Sequence, residues 1–259
     1  MSRTLYIGTY AGIPVKIHWT FSFILLLIAY VTVSENLLLK ESLVFSFYVL
    51  CLFLCVIFHE YGHALTARRY GVRTQDIMLS PIGGMARLDH IPEIPGQELK
   101  IAIAGPLVNL ILAAIFFLVI QIYGNFIMPE EESLGILMHP IGFVQMLLVL
   151  NLVLFAFNLI PAFPMDGGRI LRALLSYRTD RLKATYIASF IGRLLSVVFV
   201  IIGAIYQLYA LLFIGLFVYV MAYREYAFLK HRKEQMQMRK IPEVFHSGID
   251  DQFSESSEF

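Results

Sequence analysis

The segment Cys51–Gly71, CLFLCVIFHEYGHALTARRYG, constrains this chain more than any other. It begins as an apolar run and then carries His59, Glu60 and His63. On a helix, residues i and i+4 leave the same face, so both imidazoles point one way. Two nitrogens so placed can hold one Zn²⁺, with the intervening Glu60 positioned to act as a base on water. Two packed core histidines are the plainer alternative. That alternative leaves Glu60 unexplained, because ionisable residues at membrane depth are costly and usually functional.

The rest of the composition points to lipid as the solvent. Hydrophobic residues make up 58% of the 259 and charged residues only 15%, whereas soluble domains are about half apolar and about a quarter charged. The formal net charge is +1, and no basic, aromatic-interleaved run is present, so a nucleic-acid surface is not expected. Cys51 and Cys55 lie one helical turn apart inside an apolar run, where a disulfide between them is not expected. The N-terminal stretch lacks a charged region followed by an apolar core and cleavage site, so no cleaved signal peptide is expected.

In chain order, Gly8, Gly12 and Pro14 argue against a long helix, and Leu5 to His18 reads as a short strand or an interfacial loop. Apolar segments then predict six membrane spans. They cover about Trp19–Val33, Leu43–Arg68, Leu99–Tyr123 and Ile141–Leu159, and two more lie within Thr185–Tyr223, divided near Gln207 to Tyr209. Between spans 2 and 3, Thr74, Asp76 and Ser80 interleave with Ile77 and Leu79 before Pro81 and the pair Gly83-Gly84. That alternation predicts a β-hairpin or re-entrant element, with an ordinary cytoplasmic loop as the alternative. Gly124 to Pro140 reads as a loop carrying Glu130, Glu131 and Glu132. The expected fold class is thus an all-α polytopic membrane protein with a small β-hairpin. Residues 1–223 form the membrane domain, and 224–259 form a cytoplasmic tail that frays into disorder.

Lys and Arg gather before span 1, between spans 2 and 3, between spans 4 and 5, and after span 6. Under the positive-inside rule both termini are cytoplasmic, and the histidine pair lies in the cytoplasmic half of the bilayer. A catalytic zinc takes three protein ligands. Cys51 and Cys55 are poor candidates, since each is displaced along the helix from the histidines. Asp166 stands in a turn of Pro and Gly after span 4 at comparable depth. Judged locally it is as well explained by capping the helix that follows; the topology favours a ligand. Arg193 either snorkels to the interface or faces the site. His18, His90, His139, His231 and His246 lie in or near connectors and are expected to be solvated.

The chain resembles the site-2 protease family of zinc intramembrane metalloproteases. The resemblance rests on His59-Glu60-Tyr61-Gly62-His63, on Gly105-Pro106 with Asn109, and on Asn158 and Pro161 through Asp166-Gly167-Gly168. It implies that His59, His63 and Asp166 bind one Zn²⁺, that Glu60 is the catalytic base, and that the hairpin guides substrate. It also makes Asn158 a candidate to hold substrate backbone, with an interhelical hydrogen bond as the alternative. The implied partners are the lipid bilayer and a transmembrane protein substrate, and the implied location is the cell membrane. The resemblance covers span 1 to about Tyr223; no PDZ-like insert and no cystathionine-β-synthase-type pair accompany it. A membrane metal transporter or sensor using the same ligands is the competing reading, and an inactive scaffold a third.

Overall fold

The computed structural model describes residues 4–254 apart from 82, 91 and 125–134. The acidic loop predicted around Glu130–Glu132 lies outside the described residues, as do the last five residues of the expected tail.

Two strands open the chain, β1 (Thr4–Tyr10) and β2 (Ile13–His18). Ala11 and Gly12 join them, both in the left-handed region with φ of 50° and 76°. A two-residue turn with both φ positive matches the twist of an antiparallel hairpin, and Gly12 adopts it without a Cβ penalty. After a 3₁₀ turn at Trp19–Phe21 comes the apolar helix α1 (Ser22–Ser34). Helix α2 (Leu39–Arg69) follows, its N-terminus held by Glu41 accepting from the Leu38 N–H at 2.8 Å. Gly71, with φ of 76°, lets the chain turn out of α2 toward β3 (Thr74–Ser80) and β4 (Gly83–Leu88).

The predicted hairpin is therefore present, but it is half of a larger sheet. All four strands form one sheet in the order β1-β2-β3-β4, with β2 and β3 parallel in the register Val15 to Ile77. Ile13, Val15 and Ile77 bury against Ala64 of α2, with Ile57 and Tyr61 beside them. The sheet therefore lies along the half of α2 that carries the histidines. Since β3 is paired on both sides, only β4 of the predicted hairpin offers a free edge.

Helix α3 (Pro95–Tyr123) crosses α2 closely. A Cβ on Gly62 would lie 2.6 Å from the Ala104 carbonyl oxygen, so this contact accepts only glycine. A single turn, α4 (Gly135–Met138), precedes α5 (Pro140–Asn158), which packs on α3 through Leu148 against Ala113 and Ile120. The segment 159–165 then folds back on itself, and α6 (Asp166–Ser176) starts. Gly167 and Gly168 make this reversal possible: a Cβ on either would clash with the backbone of residues 159–163.

Helices α7 (Arg181–Ile205) and α8 (Tyr209–Ser254) pair through small residues. The Ser189 hydroxyl donates to the Ala222 carbonyl at 2.5 Å, and a Cβ on Gly215 would lie 2.9 Å from the Ser196 carbonyl oxygen. The division expected near Gln207 to Tyr209 falls there, with Gln207 at φ 56°. Helix α8 runs on to Ser254, over the segment expected to be a frayed helix followed by disorder.

Five helices, α2, α3, α5, α7 and α8, are long and apolar enough to cross a membrane. The first expected span is a shorter apolar helix, Trp19–Ser34, below the roughly 20 residues that an untilted crossing takes.

Candidate metal centre

His59 and His63 leave one face of α2 and meet Asp166 from the first turn of α6. The Asp166 Oδ2 lies 3.1 Å from His59 Nε2 and 3.0 Å from His63 Nε2, and the two Nε2 atoms are 3.0 Å apart. All three residues are buried. The Pro–Gly turn therefore brings the Asp166 carboxylate to face the imidazoles across 107 residues of sequence, where it could serve as a ligand.

The outer nitrogens are engaged as well. His59 Nδ1 lies 2.5 Å from Asn109 Oδ1, and His63 Nδ1 lies 2.7 Å from the Ile101 carbonyl. A carbonyl oxygen can only accept, so Nδ1 carries the proton on each ring and the Nε2 lone pairs turn inward. Three electron-pair donors then converge, which is repulsive unless a cation lies among them. Tetrahedral ligands bonded at about 2.0–2.1 Å are roughly 3.3 Å apart, close to the spacing found. His59, His63 and Asp166 fit a zinc ion, and with three protein donors they leave a fourth position open. Among the described residues this is the one such group.

Gly105 permits the convergence. A Cβ there would sit 2.1 Å from His63 Nε2 and 2.7 Å from His59 Nε2, inside the centre itself. Asn109 is in turn held by Asn151 of α5, whose Oδ1 accepts from Asn109 Nδ2 at 2.9 Å. Asn151 also donates to the Leu147 carbonyl and to Cys55 Sγ. Cys55 is thus a buried hydrogen-bond partner and Cys51 is half-buried; neither joins the metal-binding group.

Glu60 points toward the sheet. Its Oε2 accepts from the Ala86 N–H of β4 at 2.7 Å, and Gly84 leaves room for its side chain, since a Cβ there would lie 2.7 Å from Glu60 Cγ. The free-edge strand thus anchors the carboxylate next to the histidine pair in sequence.

Asn158, the last residue of α5, donates to its own helix at the Leu154 carbonyl at 2.9 Å, not to a neighbouring helix. Arg193 stacks its guanidinium 6.0 Å from the Phe190 ring, with Nε buried and unpaired. Sequence reasoning missed the Asn151 link and a buried ion cluster, in which Arg172 of α6 bonds Glu98 and Glu225 while Arg181 lies 3.3 Å from Glu98. Polar and charged residues interrupting apolar helices were the available signal.

A His-Glu-x-x-His helix whose histidines meet a carboxylate from a separate element in a group that could hold a metal, within a bundle of membrane-length helices, fits the class of integral-membrane metallopeptidases. The chain belongs to peptidase family M50, whose family model matches residues 47–199. It is 40% identical over 214 residues to the zinc metalloprotease MJ0392 of Methanocaldococcus jannaschii, covering 83% of this chain and 58% of that protein. The site-2 protease structure from Methanocaldococcus jannaschii superposes with a TM-score of 0.62 at 38% identity, covering 86% of this chain and 95% of that one. The chain thus spans 58% of the length of the curated relative.

Proposed function

We propose that this protein is a zinc-dependent intramembrane endopeptidase that hydrolyses peptide bonds within or near transmembrane segments of other membrane proteins. The observation that carries this reading is the meeting of His59 Nε2, His63 Nε2 and Asp166 Oδ2 within 3.1 Å, on a helix that also supplies Glu60. His59, His63 and Asp166 hold one Zn²⁺, which when bound lowers the pKa of water and polarises the scissile carbonyl. Glu60 takes the proton from the attacking water and later gives it to the leaving amine nitrogen. The Ala86 N–H keeps the Glu60 carboxylate aimed.

Helical substrate must unwind before its peptide bonds are reachable, and the exposed backbone then needs partners. The edge of β4 supplies them by strand addition through groups other than the Ala86 N–H that holds Glu60, and Asn158 holds a further substrate backbone group after leaving its Leu154 carbonyl. Helix α1, tilted or with local bilayer thinning, forms the sixth span. Both termini face the cytoplasm, the centre lies in the cytoplasmic half of the plasma membrane, and residues 224–259 act as a cytoplasmic tail.

The test is the full chain in phospholipid vesicles with a transmembrane peptide substrate. Glu60→Gln is expected to keep one zinc per chain by elemental analysis and to lose cleavage. Turnover that persists in that variant rejects the mechanism; zinc exchange across the vesicle without proteolysis favours a transporter instead.

A further inference from the structure

We propose that Arg169 is a catalytic residue whose guanidinium holds the carbonyl oxygen of the scissile peptide as that oxygen gains charge. The proposal deepens the protease reading and rests on it. Arg169 sits one turn after Asp166 in α6. The two histidines both address Asp166 Oδ2, while Arg169 Nη1 lies 3.8 Å from the other oxygen, Oδ1. That is beyond hydrogen-bond reach. Arg169 Nε is buried without a partner. A buried Nε without an acceptor costs stability unless one arrives during function.

The surroundings say where that acceptor comes from. Arg169 lines a cavity of about 260 Å³ together with Ala86 and Leu88 of β4, Phe163 and Pro164. Arg172 borders the same space, but its Nε and both terminal nitrogens are already bonded to Glu98 and Glu225. Ala86, which also lines it, is the residue whose N–H holds Glu60. The cavity is thus lined both by the strand that aims the base and by a cation beside a metal ligand. A peptide unit lying there has its carbonyl between them. Leu88, Phe163 and Pro164 give the cavity an apolar side, while Glu225, which also lines it, is engaged by Arg172; a preorganised guanidinium beside that apolar side stabilises a developing oxyanion.

The step balances as follows. The water oxygen bonds to the carbonyl carbon, and Glu60 accepts one water proton. The carbonyl π pair moves onto its oxygen, which accepts from Arg169. The oxyanion pair re-forms the C=O bond as the C–N bond breaks; the C–N pair stays on nitrogen, and that nitrogen receives the proton from Glu60. The acyl half loses its remaining hydroxyl proton to the amine or solvent and leaves as a carboxylate still facing Arg169.

The experiment uses the full zinc-loaded chain in phospholipid vesicles, cleaving a fluorogenic transmembrane peptide. Arg169→Met is expected to lower kcat by about 10²–10³-fold with KM nearly unchanged. Zinc content and zinc affinity, measured by chelator competition, stay at wild-type values. A phosphinate peptide, which mimics the tetrahedral oxyanion, loses affinity in step with kcat, while binding of the uncleaved peptide to Glu60→Gln and to Glu60→Gln with Arg169→Met is equal. Wild-type kcat in Arg169→Met overturns the proposal. So does lost zinc with unchanged turnover per zinc bound, which makes Arg169 only a support for Asp166. If Arg169→Met does not fold, Arg169→Lys preserves the charge and is put through the same comparison. Absence of zinc-dependent cleavage in the wild-type chain is a separate result: it overturns the protease reading itself.

Discussion

At the residue scale, the centre depends on one absent side chain as much as on those present. Two imidazoles and a carboxylate can meet because Gly105 of α3 leaves the space they occupy. Gly105→Ala is expected to abolish zinc binding, because a methyl 2.1 Å from His63 Nε2 cannot coexist with a ligated ring; retention of one zinc per chain at wild-type affinity contradicts this. Asn109 acts differently, by fixing the His59 tautomer from outside. Asn109→Leu is expected to weaken zinc affinity by about 10–100-fold while preserving the fold, as measured by chelator competition and thermal unfolding. The grouping of His59 with His63 was legible because their i, i+4 spacing is a local signal. Asp166 was legible only through topology, since an Asp opening a helix has an ordinary capping role. The tautomer-fixing contacts were not legible, because Asn109 and the Ile101 carbonyl reach the histidines from a different helix.

At the element scale, the sheet shows what local patterning can and cannot reveal. Alternation identified the β3–β4 hairpin, yet nothing local joins β2 to β3, whose paired residues Val15 and Ile77 lie far apart in sequence. Parallel register is a long-range outcome of burying Ile13, Val15 and Ile77 on α2. Charge then ties the strands together. Asp76 is buried at 1% exposure and accepts from Lys16 of β2 at 2.7 Å and from Arg87 of β4 at 2.5 Å. The hydrogen bond from Arg87 leads in holding the Asp76 carboxyl below the usual carboxylate range; burial opposes it and Lys16 reinforces it. A depressed folded pKa means the carboxylate stabilises the sheet above the unfolded value, about 3.9. That contribution is lost as pH falls from there through the folded pKa. Amide exchange in β2–β4 is therefore expected to accelerate below about pH 4. Asp76→Asn should exchange faster at neutral pH and show a much weaker acid response; an unchanged acid response in that variant places the titration elsewhere.

At the scale of the whole molecule, the metal centre joins α2 to α6, and α6 must in turn be fixed to the remaining helices. Arg172 does this with no solvent exposure of its own. It bonds Glu98 of α3 through two nitrogens, at 2.8 and 2.6 Å, and Glu225 of α8 at 2.6 Å, while Arg181 at the start of α7 lies 3.3 Å from the second Glu98 oxygen. Phe163, just before α6, covers the guanidinium at 5.0 Å. Three helices thus meet at one planar cation, and α7 joins the cluster through the Arg181–Glu98 contact. Such a cluster contributes little net stability against an apolar substitute, but removing one member strands the others. Arg172→Met is expected to destabilise the protein by about 3–5 kcal/mol, since buried Glu98 then keeps only the Arg181 contact. Arg172→Met combined with Glu98→Gln removes the stranded charge as well and should recover part of that loss. Thermal unfolding in detergent measures both. Because α6 carries Asp166, the single variant should also lower zinc affinity, and the double variant should restore it only as far as it restores α6. Equal stability of single and double variants would show that Glu98 is not stranded, and that the helices hold α6 by packing alone.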